Sequence, residues 1–62
     1  MNINSAIING SKILKNKSIP SHQLDSEILM AKTINKDRMY ILLNPNDVLK
    51  KCDLNKFNRL IS

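Results

Sequence analysis

The chain has 62 residues, a net charge of +5, one cysteine and one histidine. A chain of this length forms one small domain, which buries only about 60% of the surface that its unfolded state exposes. The single cysteine excludes an internal disulfide, and Cys52 and His22 alone cannot hold a structural zinc ion. No basic leader and no apolar run near the roughly 20 residues of a membrane span are present. We therefore expect a cytoplasmic protein that does not enter a membrane.

The basic charge raises the question of nucleic-acid binding, because lysine and arginine neutralise phosphates. Arg38 and Arg59 are the only guanidinium groups, and Tyr40 and Phe57 are the only aromatic side chains on which a base could stack. Nine asparagines, nine isoleucines and eight lysines also fit the codon usage of an AT-rich genome. We interpret the lysines as a solvated surface and consider nucleic acid a disfavoured partner.

Apolar residues at helical spacing predict a first helix that ends near Asn16. Residues 18–20 cannot continue it, because proline lacks an amide hydrogen and restricts the residue before it. Gly10 lies in the middle of the apolar stripe, where it either lets another helix approach closely or is tolerated at a cost of about 1 kcal/mol. The predicted buried face consists of Ile3, Ala6, Ile7, Gly10, Ile13 and Leu14.

A second helix is predicted from Ser21, whose hydroxyl can cap the first turn, to about Thr33. Its predicted buried face has Leu24, Ile28 and Ala31 at the centre, with Met30 and Ile34 to one side. With Ile28 at the centre of the face, replacing it by alanine should cost about 2–5 kcal/mol.

Glu27 falls inside that apolar arc, where a carboxylate needs a cation or amide donors. Arg38 is the candidate partner, and we predict a structural polar network of Asp25, Glu27 and Arg38. The alternative is that Glu27 reaches water at the edge of the face.

Asp37 is predicted to cap a short third helix over residues 38–43, and residues 44–47 form a turn. Residues 48–52 are either a turn of helix or an extended connector, and Asp53 can cap a last helix. The third and last helices are predicted to bury Met39, Leu42, Leu43, Leu54, Phe57, Leu60 and Ile61. No paired strand pattern appears, so the sequence predicts an all-α fold, a single domain over residues 1–62 built as a bundle of about four short helices. The last helix meets the chain end without a capping glycine, which we interpret as a truncated N-terminal domain.

The chain offers few groups for chemistry. Gly10 is its only glycine, whereas the backbone cradle of a nucleotide-type cofactor needs a glycine-rich turn after a strand. His22 is interpreted as a surface residue, and Asp25 and Glu27, two apart on a helix, do not face each other. Cys52 is interpreted as a partly buried spacer at the edge of the last helix rather than a reactive thiol. We predict no catalytic, cofactor-binding or metal-binding residue.

Two segments are distinctive: residues 24–31, Leu-Asp-Ser-Glu-Ile-Leu-Met-Ala, and residues 35–43, Asn-Lys-Asp-Arg-Met-Tyr-Ile-Leu-Leu. They resemble the N-terminal region of the release-factor glutamine methyltransferases, the PrmC/HemK family. In that family a helix opening with Asp-Ala-Glu and carrying a leucine pair leads through a Gly-Lys-Asp-Arg-like turn into a short hydrophobic segment. Ser26 replaces the usual alanine, Met30 follows a single leucine, and Asn35 stands where glycine is common. The first and last helices match in type and spacing, so the resemblance covers nearly the whole chain.

The resemblance implies a division of labour. In the family, a following domain uses S-adenosylmethionine to methylate the side-chain amide of the glutamine in the Gly-Gly-Gln motif of peptide-chain release factors. An Asn-Pro-Pro-Tyr motif of that domain holds the amide, and residues 44–47, Asn-Pro-Asn-Asp, do not match it. This chain is then expected to bind or orient the release factor, to be non-catalytic and to hold no cofactor itself. Its expected partners are the release factor and its own C-terminal catalytic domain, and Lys32, Lys36 and Arg38 are the candidate contacts.

Two other functions remain open at this point. A small helix-turn-helix module would place the second and third helices on duplex DNA, but residues 40–43 are hydrophobic where a recognition helix should be polar. A free-standing helical docking domain would show the same sequence features.

Overall fold

A computed structural model describes all residues 1–62 and contains four helices. They are α1 (Ile3–Asn16), α2 (His22–Ile34), α3 (Arg38–Leu43) and α4 (Lys51–Ile61). No strand is formed, and one isolated antiparallel bridge joins Asn2 to Val48. The predicted all-α bundle of about four short helices is confirmed. None of the helices combines the length and the apolar character that crossing a membrane would require.

The first helix begins at Ile3 because the side chain of Asn2 caps it, accepting a hydrogen bond from the amide of Ser5 at 2.8 Å. The predicted face is buried except for Ile13, which is exposed, so that assignment was wrong. Ser11 is buried instead, and its hydroxyl lies 2.6 Å from Nδ1 of His22. The buried side of α1 therefore includes Ser11 and excludes Ile13. The burial of Ser11 is tolerated because its hydroxyl has a hydrogen-bond partner.

The second helix presents a different face from the one predicted. Leu24 and Ile28 are 44% and 39% exposed, so they do not form the centre of the core. Ser21 is the N-cap residue of α2, as predicted, but its hydroxyl donates to Oδ2 of Asp25 at 3.0 Å and makes no capping hydrogen bond to a free amide, so that part of the prediction is wrong. The buried residues of α2 are Ser26, Glu27, Met30, Ala31 and Thr33.

The contact around Gly10 explains this orientation of α2. A Cβ atom built on Gly10 would lie 2.8 Å from Cζ of Phe57 and 2.8 Å from Oγ of Ser26. The missing side chain therefore lets α1 approach α2 and α4 closely, as one of the two interpretations of Gly10 proposed. The hydroxyl of Ser26, which is fully buried, donates to the carbonyl of Ile7 at 2.8 Å. The small side chain of Ser26 fits between the closely packed helices, whereas a leucine side chain at this position would be too large.

The third helix is capped as predicted, since Oδ1 of Asp37 accepts from the amide of Tyr40 at 2.9 Å. Its burial is not as predicted: Met39, Leu42 and Leu43 are 60%, 49% and 71% exposed. Only Ile41 is buried. A helix of six residues turns one side toward the core, and Ile41 lies on the side opposite to Met39, Leu42 and Leu43.

The connector between α3 and α4 is tied to the beginning of the chain. The amides of Ile3 and Asn4 donate to the carbonyls of Asp47 and Pro45 at 2.9 and 3.0 Å, and the amide of Leu49 donates to the carbonyl of Met1 at 3.0 Å. These bonds satisfy amides of the first turn of α1, which a helix leaves free. Residues 48–50 are therefore extended and held in place, the second of the two alternatives for this region, whereas Lys51 and Cys52 belong to the first turn of α4.

The last helix begins at Lys51, two residues before the predicted cap Asp53. Phe57 and Ile61 are buried as predicted, whereas Leu60 is exposed. The ammonium of Lys17 donates to the carbonyl of Ile61 at 3.0 Å and so joins the ends of α1 and α4. The nine buried apolar residues of the core come from all four helices: Ile3, Ala6, Ile7, Leu14, Met30, Ala31, Ile41, Phe57 and Ile61.

Candidate protein-binding surface

Of the predicted polar network, two members are joined. Nε of Arg38 donates to Oε1 of Glu27 at 2.8 Å, and Nε2 of Gln23 donates to the other oxygen of Glu27 at 3.0 Å. Glu27 is buried, so these donors replace water around its carboxylate. Asp25 lies outside this group, because its hydrogen-bond partner is Ser21. The structure therefore links α2 to α3 through the Glu27–Arg38 ion pair, with Gln23 as the third member.

The predicted partner contacts Lys32, Lys36 and Arg38 are all exposed, and their side chains have different surroundings. The side chain of Arg38 is directed at Glu27. The ammonium of Lys36 lies over the ring of Tyr40, 5.2 Å from its centroid, which is within the range of a cation–π contact. Lys32 is in the last turn of α2 and makes no ion pair. Arg38 therefore has a structural contact, whereas Lys32 and Lys36 have ammonium groups free of carboxylates.

The most distinctive surface is the outward side of α3, which sequence reasoning assigned to the core. Met39, Leu42 and Leu43 are spaced i, i+3 and i+4, so they share one side of the helix and form a continuous apolar strip. Single exposed apolar residues are ordinary, whereas a contiguous patch is typical of interaction sites. The shortness of the helix, combined with a turn on each side of it, was the available signal that one side had to remain uncovered.

Beside this strip lies a groove of about 250 Å³, lined by the connector and by residues of all four helices. Ile3, Ile34 and Leu49 contribute apolar surface, and Lys36 and Lys50 are among its charged residues. The hydroxyl of Tyr40 donates to Oδ2 of Asp47 at 2.6 Å, and both residues line the groove. The pKa of Tyr40 is raised above its ordinary value by this hydrogen bond, then by desolvation and by the negative charge of Asp47.

The remaining candidate groups are dispersed. No three His, Cys, Asp or Glu side chains come together in a way that could hold a metal ion. His22 is half-buried against Ser11 rather than a plain surface residue, and Cys52 is exposed, so its predicted partial burial is wrong. The only glycine is packed inside the helix contact, where it leaves no space for a ligand. The surface features that remain are the apolar strip of α3 and the adjoining groove.

Together these features define a small all-α domain with an exposed apolar strip next to basic residues. Its sequence matches the model of the PrmC N-terminal domain over residues 5–62, and the chain belongs to that family. It is 38% identical over 61 residues to a release factor glutamine methyltransferase of Clostridium botulinum (strain Hall). That alignment covers 98% of this chain and 22% of the relative, so the chain spans about a fifth of the relative's length. No solved structure matches it.

Proposed function

We propose that this chain is the substrate-engaging N-terminal domain of a methyltransferase that modifies the glutamine of the Gly-Gly-Gln motif in peptide-chain release factors. The observation that carries this proposal is the family match over residues 5–62, together with 38% identity to a release factor glutamine methyltransferase along nearly the whole chain. The chemistry belongs to a separate catalytic domain, which is the second partner of this chain. The site of action is the cytoplasm, where translation ends.

A binding role agrees with the physical properties of the domain. Its net charge of +5 steers an acidic protein toward it, and its apolar strip supplies surface that gains free energy when covered. Holding the substrate beside a tethered catalytic domain raises the effective concentration of the reacting amide without any reactive group on the binding domain. Lys32 and Lys36 are the proposed electrostatic contacts, and Arg38 contributes mainly by fixing α3 against Glu27.

The cofactor that the family implies, S-adenosylmethionine, does not fit the residues of this chain. Its site needs a strand followed by a glycine-rich turn, so that backbone atoms can approach the ligand. Here no strand is formed, and Gly10 is filled on both sides by Phe57 and Ser26. The cofactor therefore belongs to the catalytic domain, and no step of the reaction is assigned to this chain.

The proposal is tested by titrating the purified chain with a peptide-chain release factor of Clostridium botulinum, the organism of the relative, using isothermal titration calorimetry. We expect saturable binding that weakens as salt is raised, because part of the attraction is between opposite charges. A mixed-sequence DNA duplex serves as the comparison ligand. Absence of binding to the release factor, with salt-sensitive binding to the duplex, would overturn the proposal in favour of a helix-turn-helix module.

A docking domain that only self-associates is the remaining alternative. Sedimentation velocity over a wide concentration range separates the two functions. A monomer that binds the release factor supports the proposal, and a concentration-dependent dimer that does not bind it supports self-association.

A further inference from the structure

We infer that the adjacent outer sides of α1 and α4 form the surface on which an acidic region of the release factor docks. This inference rests on the proposed function and specifies which side of the domain meets that partner. It depends on how the fold distributes charge, and not on the apolar strip of α3.

The positive charge of the molecule is concentrated in the two ends of the polypeptide. Residues 1–20 contain three lysines and no acid, and residues 48–62 contain four cations and one acid. The intervening residues 21–47 contain three cations and four acids. The segments that hold α1 and α4 therefore account for the whole net charge of +5, whereas the segment that holds α2 and α3 is slightly negative.

The fold places these two basic segments next to each other. The helices α1 and α4 pack closely at Gly10. The bridge between Asn2 and Val48 joins their beginnings, and the bond from the ammonium of Lys17 to the carbonyl of Ile61 joins their ends. The two helices therefore run side by side in the same direction. Because their lysines are far apart in sequence, the combined charged surface exists only in the folded chain.

No exposed residue on either helix is acidic. The exposed cations are Lys12 and Lys15 on α1 and Lys51, Lys56 and Arg59 on α4, and none of them forms an ion pair. At about 100° per residue, Lys12 and Arg59 lie opposite to the buried residues of their helices, so they project toward solvent. A surface with charges of one sign attracts a partner of the opposite sign and fixes its orientation.

The acids nearest to this surface are half-buried beside other parts of the molecule. Asp53, the one acid of α4, lines the groove beside α3 together with Tyr40. Asp25 of α2 lies next to Leu14 near the end of α1 and accepts a hydrogen bond from Ser21. These two charges and the terminal carboxylate of the chain are outnumbered by the seven cations of α1, α4 and their caps. The surface therefore keeps an excess of positive charge.

An acidic protein suits this surface better than a nucleic acid does. Arg59 is its only guanidinium group, and Phe57, the only aromatic residue of the two helices, is buried. Bidentate phosphate contacts and base stacking therefore have little support. Ile8, Ile13 and Leu60 are each more than 40% exposed on the same helices, and apolar side chains of a protein partner can cover them.

The test compares two double substitutions in the full chain that lower the net charge equally. Lys12→Gln with Arg59→Gln changes the α1–α4 surface, and Lys32→Gln with Lys36→Gln changes the side of α2 and α3. Association with a release factor of Clostridium botulinum is followed by stopped-flow fluorescence at low and high salt. The first pair should raise the Kd about five- to tenfold at low salt, mainly through slower association, and the second pair less than about twofold. All four positions are exposed, and circular dichroism confirms that both variants are helical.

High salt should reduce the difference between the two pairs, because screening weakens the attraction between opposite charges. Equal weakening by both pairs, or greater weakening by the second pair, would overturn the inference while leaving the proposed function standing. No binding of the wild-type chain to the release factor would overturn the proposed function and the inference with it. Tighter binding of the wild-type chain to a mixed-sequence DNA duplex than to the release factor, lost with Lys12→Gln and Arg59→Gln, would assign the surface to nucleic acid and also overturn the inference.

Discussion

Gly10 carries a hydrogen atom where alanine carries a methyl group, and this difference sets how closely α1 approaches α2 and α4. We predict that Gly10→Ala lowers the free energy of unfolding, although alanine gains about 1 kcal/mol of helix propensity. The added Cβ meets the ring of Phe57, which is buried and cannot move aside, and the hydroxyl of Ser26, which is held by Ile7. Overpacking of this kind costs about 1–3 kcal/mol. Urea unfolding measures the change.

Asn9→Ala is the matched control, because Asn9 is the exposed neighbour of Gly10 in the same helix. It should leave stability unchanged or slightly increase it. A stabilised Gly10→Ala protein would mean that α1, α2 and α4 can move apart without loss.

The ion pair between Arg38 and Glu27 is a second test at the residue scale. Arg38→Ala removes the charged donor and leaves a carboxylate that is only 8% exposed with Gln23 as its remaining partner. We expect a loss of about 1–2 kcal/mol, less than for a fully buried pair because half of the Arg38 side chain is in water. Arg59→Ala, at an exposed position without a side-chain partner, should fall within about 0.5 kcal/mol of the wild type. Equal effects of the two substitutions in thermal melts would contradict a role for the pair.

The phenol of Tyr40 gives a prediction for pH. Its pKa is raised from 10.0, first by the hydrogen bond to Asp47, so the folded state holds the phenol proton more tightly than the unfolded state. The stability that this adds is present below pH 10.0 and is lost as the pH rises through the higher folded pKa. Tyr40 is the only tyrosine, so an alkaline absorbance titration reports it alone. The midpoint should lie above 10.0 and return toward it in Asp47→Asn, whereas Asp53→Asn should leave it in place.

At the scale of the elements, the second helix shows where hydrophobic periodicity is insufficient. Its apolar residues spread around a wide arc, so several orientations bury about the same number of them. The contact with Gly10 selects the orientation that places the small Ser26 inward, and this turns Leu24 and Ile28 toward the surface. That contact joins residues of α1, α2 and α4 that are distant in sequence, and no local pattern contains it.

The orientation of α2 predicts a clear difference between two substitutions. Ile28→Ala should cost only about 1 kcal/mol, rather than the larger loss expected from the sequence, because Ile28 is 39% exposed. Met30→Ala should cost about 2–5 kcal/mol, since Met30 is completely buried. Urea unfolding of both proteins under one condition gives the comparison. A larger loss for Ile28→Ala than for Met30→Ala would mean that α2 is rotated from the position described.

The third helix shows the other limit of sequence reasoning. Its cap at Asp37 was predictable because the hydrogen bond spans only three residues. The exposure of its apolar side was not, because the expectation that leucine is buried fails where the rest of the fold leaves a helix side uncovered, and the sequence of α3 does not contain that information. The error at Leu42 and Leu43 therefore concerns the placement of α3 on the rest of the fold and not its helical structure.

At the scale of the whole molecule, the sequence was sufficient for the number and type of elements and for the family. The end of α1 at Asn16, the cap of α3 and the burial of Phe57 and Ile61 follow from local rules. The Glu27–Arg38 bond was also foreseeable, because a carboxylate on an apolar arc requires a donor and Arg38 is near in sequence. The groove was not, because the connector and residues of all four helices meet there, and no single segment encodes it.

The bonds between the first residues and the connector have a consequence for the order in which the domain opens. The amides of Ile3, Asn4 and Leu49 are protected by partners more than 40 residues away in sequence. Closing a loop of that length has an entropic cost, so neither segment is protected until the whole chain has come together. The first turn of α1 and the connector should therefore exchange their amide hydrogens as one cooperative unit, through the same opening event. A partner bound to the connector would then slow amide hydrogen exchange in the first residues of the chain, far from the connector in sequence.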